Sequence, residues 1–134
     1  MYFSAWWSAD GITLAGALDL ENNPRKGADA CYGLSPAQMV TWIQDFSDTY
    51  VSKTSRYPVI YMTKSWWEQC TGDSVAFGST NPLWIAHPGT SLAGHLPQGW
   101  KTATFWQYAL SGSNPGDQDY FIGDSAALKS FARG

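Results

Sequence analysis

Asp19 and Glu21 are two carboxylates one residue apart, within the run Gly16-Ala17-Leu18-Asp19-Leu20-Glu21-Asn22-Asn23-Pro24. A β-strand sends alternate side chains to opposite faces, so Leu18 and Leu20 point one way and Asp19 and Glu21 the other. Positions two apart on a strand are roughly 6.6 Å apart along the backbone. Asn22-Asn23-Pro24 breaks the strand, which leaves the carboxylates side by side at its C-terminal end. Two ionised carboxylates that close repel, and the more buried one keeps its proton to higher pH. That is what a general acid working near neutral pH requires. The same pattern also suits an exposed edge strand with both charges in water.

Other chemistry-bearing residues are fewer. Asp117-Gln118-Asp119 follows Gly116. It reads as a solvated turn, or as two acids offered to one face of a final strand. His87 and His95 have no Cys or carboxylate partner at metal-ligand spacing, so the sequence offers no zinc site. There is no Gly-x-Ser-x-Gly elbow for a serine nucleophile and no glycine-rich phosphate loop. No metal or cofactor is expected. Cys31 and Cys70 would close a loop of 39 residues if bridged. On spacing alone they are equally two free thiols.

Several elements must position these groups. Ser35 suits an N-cap, Pro36 the first helical position, and Gln38 completes a capping box. Met39, Trp42, Ile43, Phe46 and Tyr50 then recur at helical spacing, as a core-facing stripe ending before residues 53–56. Strands are expected near residues 15–21, 57–63, 83–86, 104–108 and 117–121. Short helices are expected over 65–70 and 125–132, the last capped by Asp124 or Ser125. Short apolar strands split by helices or long crossovers suggest parallel strands in an α/β fold. Glu21, Tyr61, Ala86–His87 and Gln107 lie at strand C-terminal ends, the end that carries the site in a (β/α) barrel. Acidic and aromatic ends on one rim would form a sugar-sized cleft, with flat rings against sugar C–H faces and Asp, Gln and Asn on the hydroxyls.

Composition narrows the class. At 134 residues the chain is one domain. Charged residues are only 14% and aromatics 16%, with 8 Trp, which argues against disorder. The net charge of −3 provides no basic field for nucleic acid. No apolar run is long enough to cross a bilayer, and no basic residue precedes the first apolar stretch as in a signal peptide.

An ordered set of segments resembles the lysozymes of glycoside hydrolase family 25, the Chalaropsis-type muramidases. The set is Leu18-Asp19-Leu20-Glu21, Cys31-Tyr32-Gly33-Leu34-Ser35, Arg56-Tyr57-Pro58-Val59-Ile60-Tyr61, Trp66-Trp67-Glu68-Gln69-Cys70-Thr71-Gly72, Pro82-Leu83-Trp84-Ile85-Ala86, Thr104-Phe105-Trp106-Gln107-Tyr108 and Pro115-Gly116-Asp117-Gln118-Asp119. The resemblance implies hydrolysis of the β-1,4 bond between N-acetylmuramic acid and N-acetylglucosamine in peptidoglycan. It also implies a secreted enzyme without a metal, and a Cys31–Cys70 disulfide. Glu21 matches the family's proton donor and Asp19 the companion carboxylate that positions the acetamido group or tunes Glu21. Asp117 matches the acid on the last barrel strand, and Tyr61, Trp84, Trp106 and Gln107 match cleft-lining positions. The family is described as retaining, with the substrate's acetamido group as the favoured nucleophile.

The family fold resembles a flattened eight-stranded barrel, and this chain supplies about the last five strands. The expected architecture is therefore a partial (β/α) TIM-like barrel, with residues 1–134 an incomplete family 25 domain. The first strand, with its own catalytic Asp, and the second and third are missing. Residues 1–11 read as the tail of the third helix, and Met1 falls inside the domain. His87-Pro88 departs from the family's usual basic or aromatic pair. Five strands cannot close an eight-strand barrel, so the outer edges of the first and last strands stay open to self-association. Tryptophans near the N-terminus are expected to be exposed. Three functions compete: a muramidase completed by association, a non-catalytic wall-glycan binder, and an inactive truncated fragment.

Overall fold

The computed structural model describes residues 7–134. Five strands and three helices follow in the order β1 (Ala17–Asp19), α1 (Pro36–Thr54), β2 (Val59–Met62), α2 (Lys64–Thr71), β3 (Leu83–Ala86), β4 (Phe105–Ala109), β5 (Gln118–Phe121) and α3 (Ser125–Arg133). The strands form one sheet in chain order, so β1 and β5 are its edges. Strands β1 to β4 are parallel.

The expectation of parallel strands fails at the last pair, where β5 runs antiparallel to β4. Only residues 110–117 separate them. A parallel return needs a crossover of about a dozen residues or more. Gln107 pairs with Asp119 and Ala109 with Gln118, so Tyr108 is an extra residue bulged out of β4.

Strand alternation sorts the sheet into two faces. Leu18, Leu20, Ile60, Met62, Leu83 and Ile85 are buried in the core with Met39 and Ile43 of α1 and Trp66 and Trp67 of α2. On the other face Asp19, Tyr61, Trp84, Phe105 and Phe121 occupy one register layer.

Helix α1 starts as expected. Ser35 accepts from the Gln38 backbone N–H, and the Gln38 side chain accepts from the Ser35 N–H. Its buried stripe is Met39, Ile43, Ser47, Tyr50 and Thr54, which leaves Trp42 outward and 47% exposed. Trp42 is thus not a core residue. The small Ser47 takes the inward position because the Asn81 amide donates to its hydroxyl and to the Pro58 carbonyl. The Tyr50 hydroxyl accepts the Gly16 N–H at 2.7 Å and ties α1 to the start of β1. A Cβ at Gly16 would lie 3.0 Å from that hydroxyl, which accounts for glycine there.

Cys31 and Cys70 form a disulfide. Both are buried, and Cys70 lies in α2. Trp7 is half-buried rather than exposed, with the Arg56 guanidinium 5.1 Å above its ring and its indole N–H on the Thr13 carbonyl. Residues 1–6, most of the stretch read as a helix tail, lie outside the described residues.

Two loops that support β3 and β4 meet at Gly78. Trp100 donates to the Asn81 carbonyl and meets Trp67 edge to face at 5.3 Å. A Cβ on Gly78 would collide with the Gly99 carbonyl. Gly78→Ala is therefore expected to cost about 1–3 kcal/mol, read as a lower urea midpoint. An unchanged midpoint would mean that the two loops separate freely.

Candidate active site

Asp19 is the last residue of β1 and Glu21 lies two residues beyond it, both lining one hollow, while Leu18 and Leu20 are buried in the core. The backbone on either side is pinned to β2: Val59 N–H donates to the Gly16 carbonyl and Leu20 N–H to the Tyr61 carbonyl. The Tyr32 hydroxyl donates to the Glu21 carbonyl at 3.1 Å. Tyr32 is held there by a turn in which Asp29 accepts from the Cys31 and Gly33 N–H groups. The disulfide anchors that turn to α2.

Across the sheet, the Tyr61 hydroxyl lies 2.8 Å from Gln107 Oε1, and Gln107 Nε2 lies 3.1 Å from Asp117 Oδ2. The Trp84 indole donates to Asp119 Oδ1 at 2.7 Å and meets the Tyr61 ring edge to face at 5.0 Å. A cleft of about 300 Å³ is lined by Glu21, Asn22, Tyr61, Trp66, Gln107 and Leu110 among others. A second hollow of about 330 Å³ continues past Asp19 and Glu21 toward Tyr32, Leu34, Trp42 and Trp66.

The structure thus brings Asp19, Glu21, Tyr61, Trp84, Gln107 and Asp117 to one face. It does not bring Trp106 there. Trp106 follows Ile85 in register and points to the opposite face, where it packs against the core and donates to the His87 carbonyl. Adjacent strand residues face opposite ways, so Gln107 in the cleft turns Trp106 out of it. Asp119 was legible only as one of two options, because i,i+2 spacing suits a strand face as well as a turn. Its partner Trp84 is 35 residues away. His87 and His95 stack at 4.0 Å, rings nearly parallel, rather than converging on a point. Among the described residues no cluster of three or more His, Cys, Asp or Glu side chains could hold a metal ion.

The electrostatics single out Glu21. Its carboxyl is held above the usual range by partial burial first, then by the charge of Asp19 and a shared hydrogen bond with it, and then by Asp117. Such a group resists ionisation in the folded state. Its contribution to stability is complete below the unfolded value near 4.5 and is lost as pH rises through the raised folded value. Glu21→Gln should therefore melt above the parent at pH 7 and with it at pH 3, by calorimetry. A lower melting temperature at pH 7 would refute the assigned repulsion.

The sequence profile of the glycosyl hydrolases family 25 matches residues 2–117. The chain belongs to this family. The N,O-diacetylmuramidase of Chalaropsis sp is 48% identical, aligned over 96% of this chain and 60% of its own length. The N,O-diacetylmuramidase of Arthroderma benhamiae is 46% identical, over 96% and 53%. The structure of a muramidase from Acremonium alcalophilum superposes with a TM-score of 0.89 at 52% identity, over 95% of this chain and 60% of that one. This family 25 chain therefore spans a little over half the length of these relatives. Its α/β sheet and its cleft belong to that shared part.

Proposed function

We propose that this chain acts as a muramidase, cleaving the β-1,4 bond between N-acetylmuramic acid and N-acetylglucosamine in peptidoglycan. The observation that carries the reading is the place of Glu21 on the cleft wall beside Asp19, where partial burial and the Asp19 charge raise its carboxyl above the usual range. Glu21 protonates the glycosidic oxygen as the bond breaks. Asp19 positions the acetamido group of the reacting sugar, whose oxygen attacks the anomeric carbon as the glycosidic bond breaks. Water, giving its proton back to Glu21, then opens the ring so formed and leaves a reducing end. Asp117 closes the acidic wall, and Tyr61, Trp84 and Gln107 receive the sugar. Trp106 has no part in the cleft.

The chain corresponds to the C-terminal part of the family's domain, a partial barrel. The outer edges of β1 and β5 are where pairing is completed, by the rest of the domain or by the edge of a second copy, because unpaired edges seek partners. The relatives' greater length supports this. The protein works outside the cell, where its substrate and its disulfide both belong. A second reading, a wall-glycan binder without catalysis, is favoured by one observation: the strand that ends at Asp19 and leads into Glu21 is a sheet edge.

Release of reducing ends from purified peptidoglycan tests the first reading. Release by the parent that vanishes in Glu21→Gln is expected. No release, with retention of the chain on the insoluble pellet, would establish the binder instead. Neither release nor retention would leave a fragment without independent function.

A further inference from the structure

Gln107 links two groups of the cleft wall, and its amide has only one orientation that satisfies both. It is 5% exposed and sits in β4, paired on both sides. An ionised carboxylate has lone pairs and no proton, so Asp117 can only accept. The nitrogen of the Gln107 amide must then face Asp117, and its oxygen must face Tyr61. That oxygen also only accepts, so the single proton of the Tyr61 hydroxyl is committed to Gln107. Only lone pairs of the phenol remain for the cleft that Tyr61 shares with Glu21. The ring cannot swing away easily, because Trp84 packs on it and is itself held by Asp119.

We propose that Asp117, acting through Gln107, makes Tyr61 an obligatory hydrogen-bond acceptor toward the glycan, so that this point of the cleft selects an amide N–H or a hydroxyl. Gln107 and Asp117 are positioning residues in this, and Tyr61 is the group that meets substrate. A substrate carbonyl placed there would face lone pairs. Tyr61 has the proton to give, because partial burial first, and the charge of Glu21 next, hold its phenol above the ordinary value of 10.0. The glycan rests on the muramidase reading, whereas the polarity of Tyr61 does not.

Raman spectra of the chain minus those of Tyr61→Phe isolate the Tyr61 Fermi doublet, whose intensity ratio separates a donating phenol from an accepting one. A donating ratio is expected near neutral pH. Asp117→Leu keeps the bulk but removes the acceptor that holds the Gln107 amide nitrogen, so the ratio should move toward accepting. An accepting ratio in the parent, or no movement in Asp117→Leu, would overturn the proposal. Titration with soluble peptidoglycan fragments, followed by NMR, tests the selection. Tyr61→Phe should weaken binding about 3- to 10-fold, and equal binding would overturn it. If the parent has a donating ratio yet binds no fragment, the polarity stands and the muramidase reading falls, with the selectivity drawn from it.

Discussion

Glu21→Gln is expected to lower the release of reducing ends from peptidoglycan by about 10²- to 10⁴-fold, the usual contribution of a positioned general acid. Gln keeps the shape of the side chain and removes the transferable proton. The loss should therefore appear in kcat, with retention on insoluble peptidoglycan little changed. The pH profile carries the same information. Glu21 must be protonated to act, so activity falls as pH rises through its value, which burial and Asp19 hold above the usual carboxyl range. Asp19→Asn removes the repelling charge and should move that falling limb to lower pH. A limb that stays in place would mean that burial, the largest cause, and Asp117 set the Glu21 value without Asp19.

Removing the Cys31–Cys70 bridge is expected to have the largest effect on stability. The two cysteines are 39 residues apart, and on the chain-entropy model closing such a loop contributes about 4 kcal/mol. For a domain of this size that corresponds to roughly 10–20 °C in melting temperature. Cys31→Ala with Cys70→Ala is the suitable variant, because serines at these buried positions would add unpaired hydroxyls. The effect should extend to the site. Tyr32, next to Cys31, donates to the Glu21 carbonyl, and the bridge anchors its turn to α2. Thermal unfolding of the double variant against the parent measures it. A shift of only a few degrees would show that packing of α1 and α2 holds the turn without the bond.

The expected outer edges of the sheet are the observed ones, β1 and β5. They bear on both experiments. A muramidase completed by association should show activity that rises more steeply than protein concentration, since the active species then forms by encounter. Sedimentation at the same concentrations would show whether the active fraction is the larger one. Strict proportionality with a single small species would exclude completion by a second copy.

Local chemistry carried much of the reading. Leu18 and Leu20 alternate with Asp19 and Glu21, and period two alone separates core from cleft. Ser35, Pro36 and Gln38 form a cap whose partners lie within one turn, so α1 begins where residues 35–38 predict. The paired cysteines, undecided by spacing, were bridged as the family resemblance implied. The resemblance put Trp106 and Gln107 together on the cleft, whereas the structure separates them, because neighbours on a strand cannot both face one cleft.

What the sequence determined by itself is therefore the set of elements and the facing of residues within each one. The tertiary structure decided how side chains far apart in the chain meet. Trp42 reads as core on helical spacing, yet Ser47 takes the inward place because Asn81 and Pro58 come from elsewhere in the chain. The reversal of β5, with the bulge at Tyr108 of β4, places Asp119 beside Trp84 and Asp117 beside Gln107. Tyr61 meets Gln107 across 46 positions. Local periodicity is set by the geometry of a single backbone segment, whereas these contacts depend on strand order and direction, to which every segment contributes.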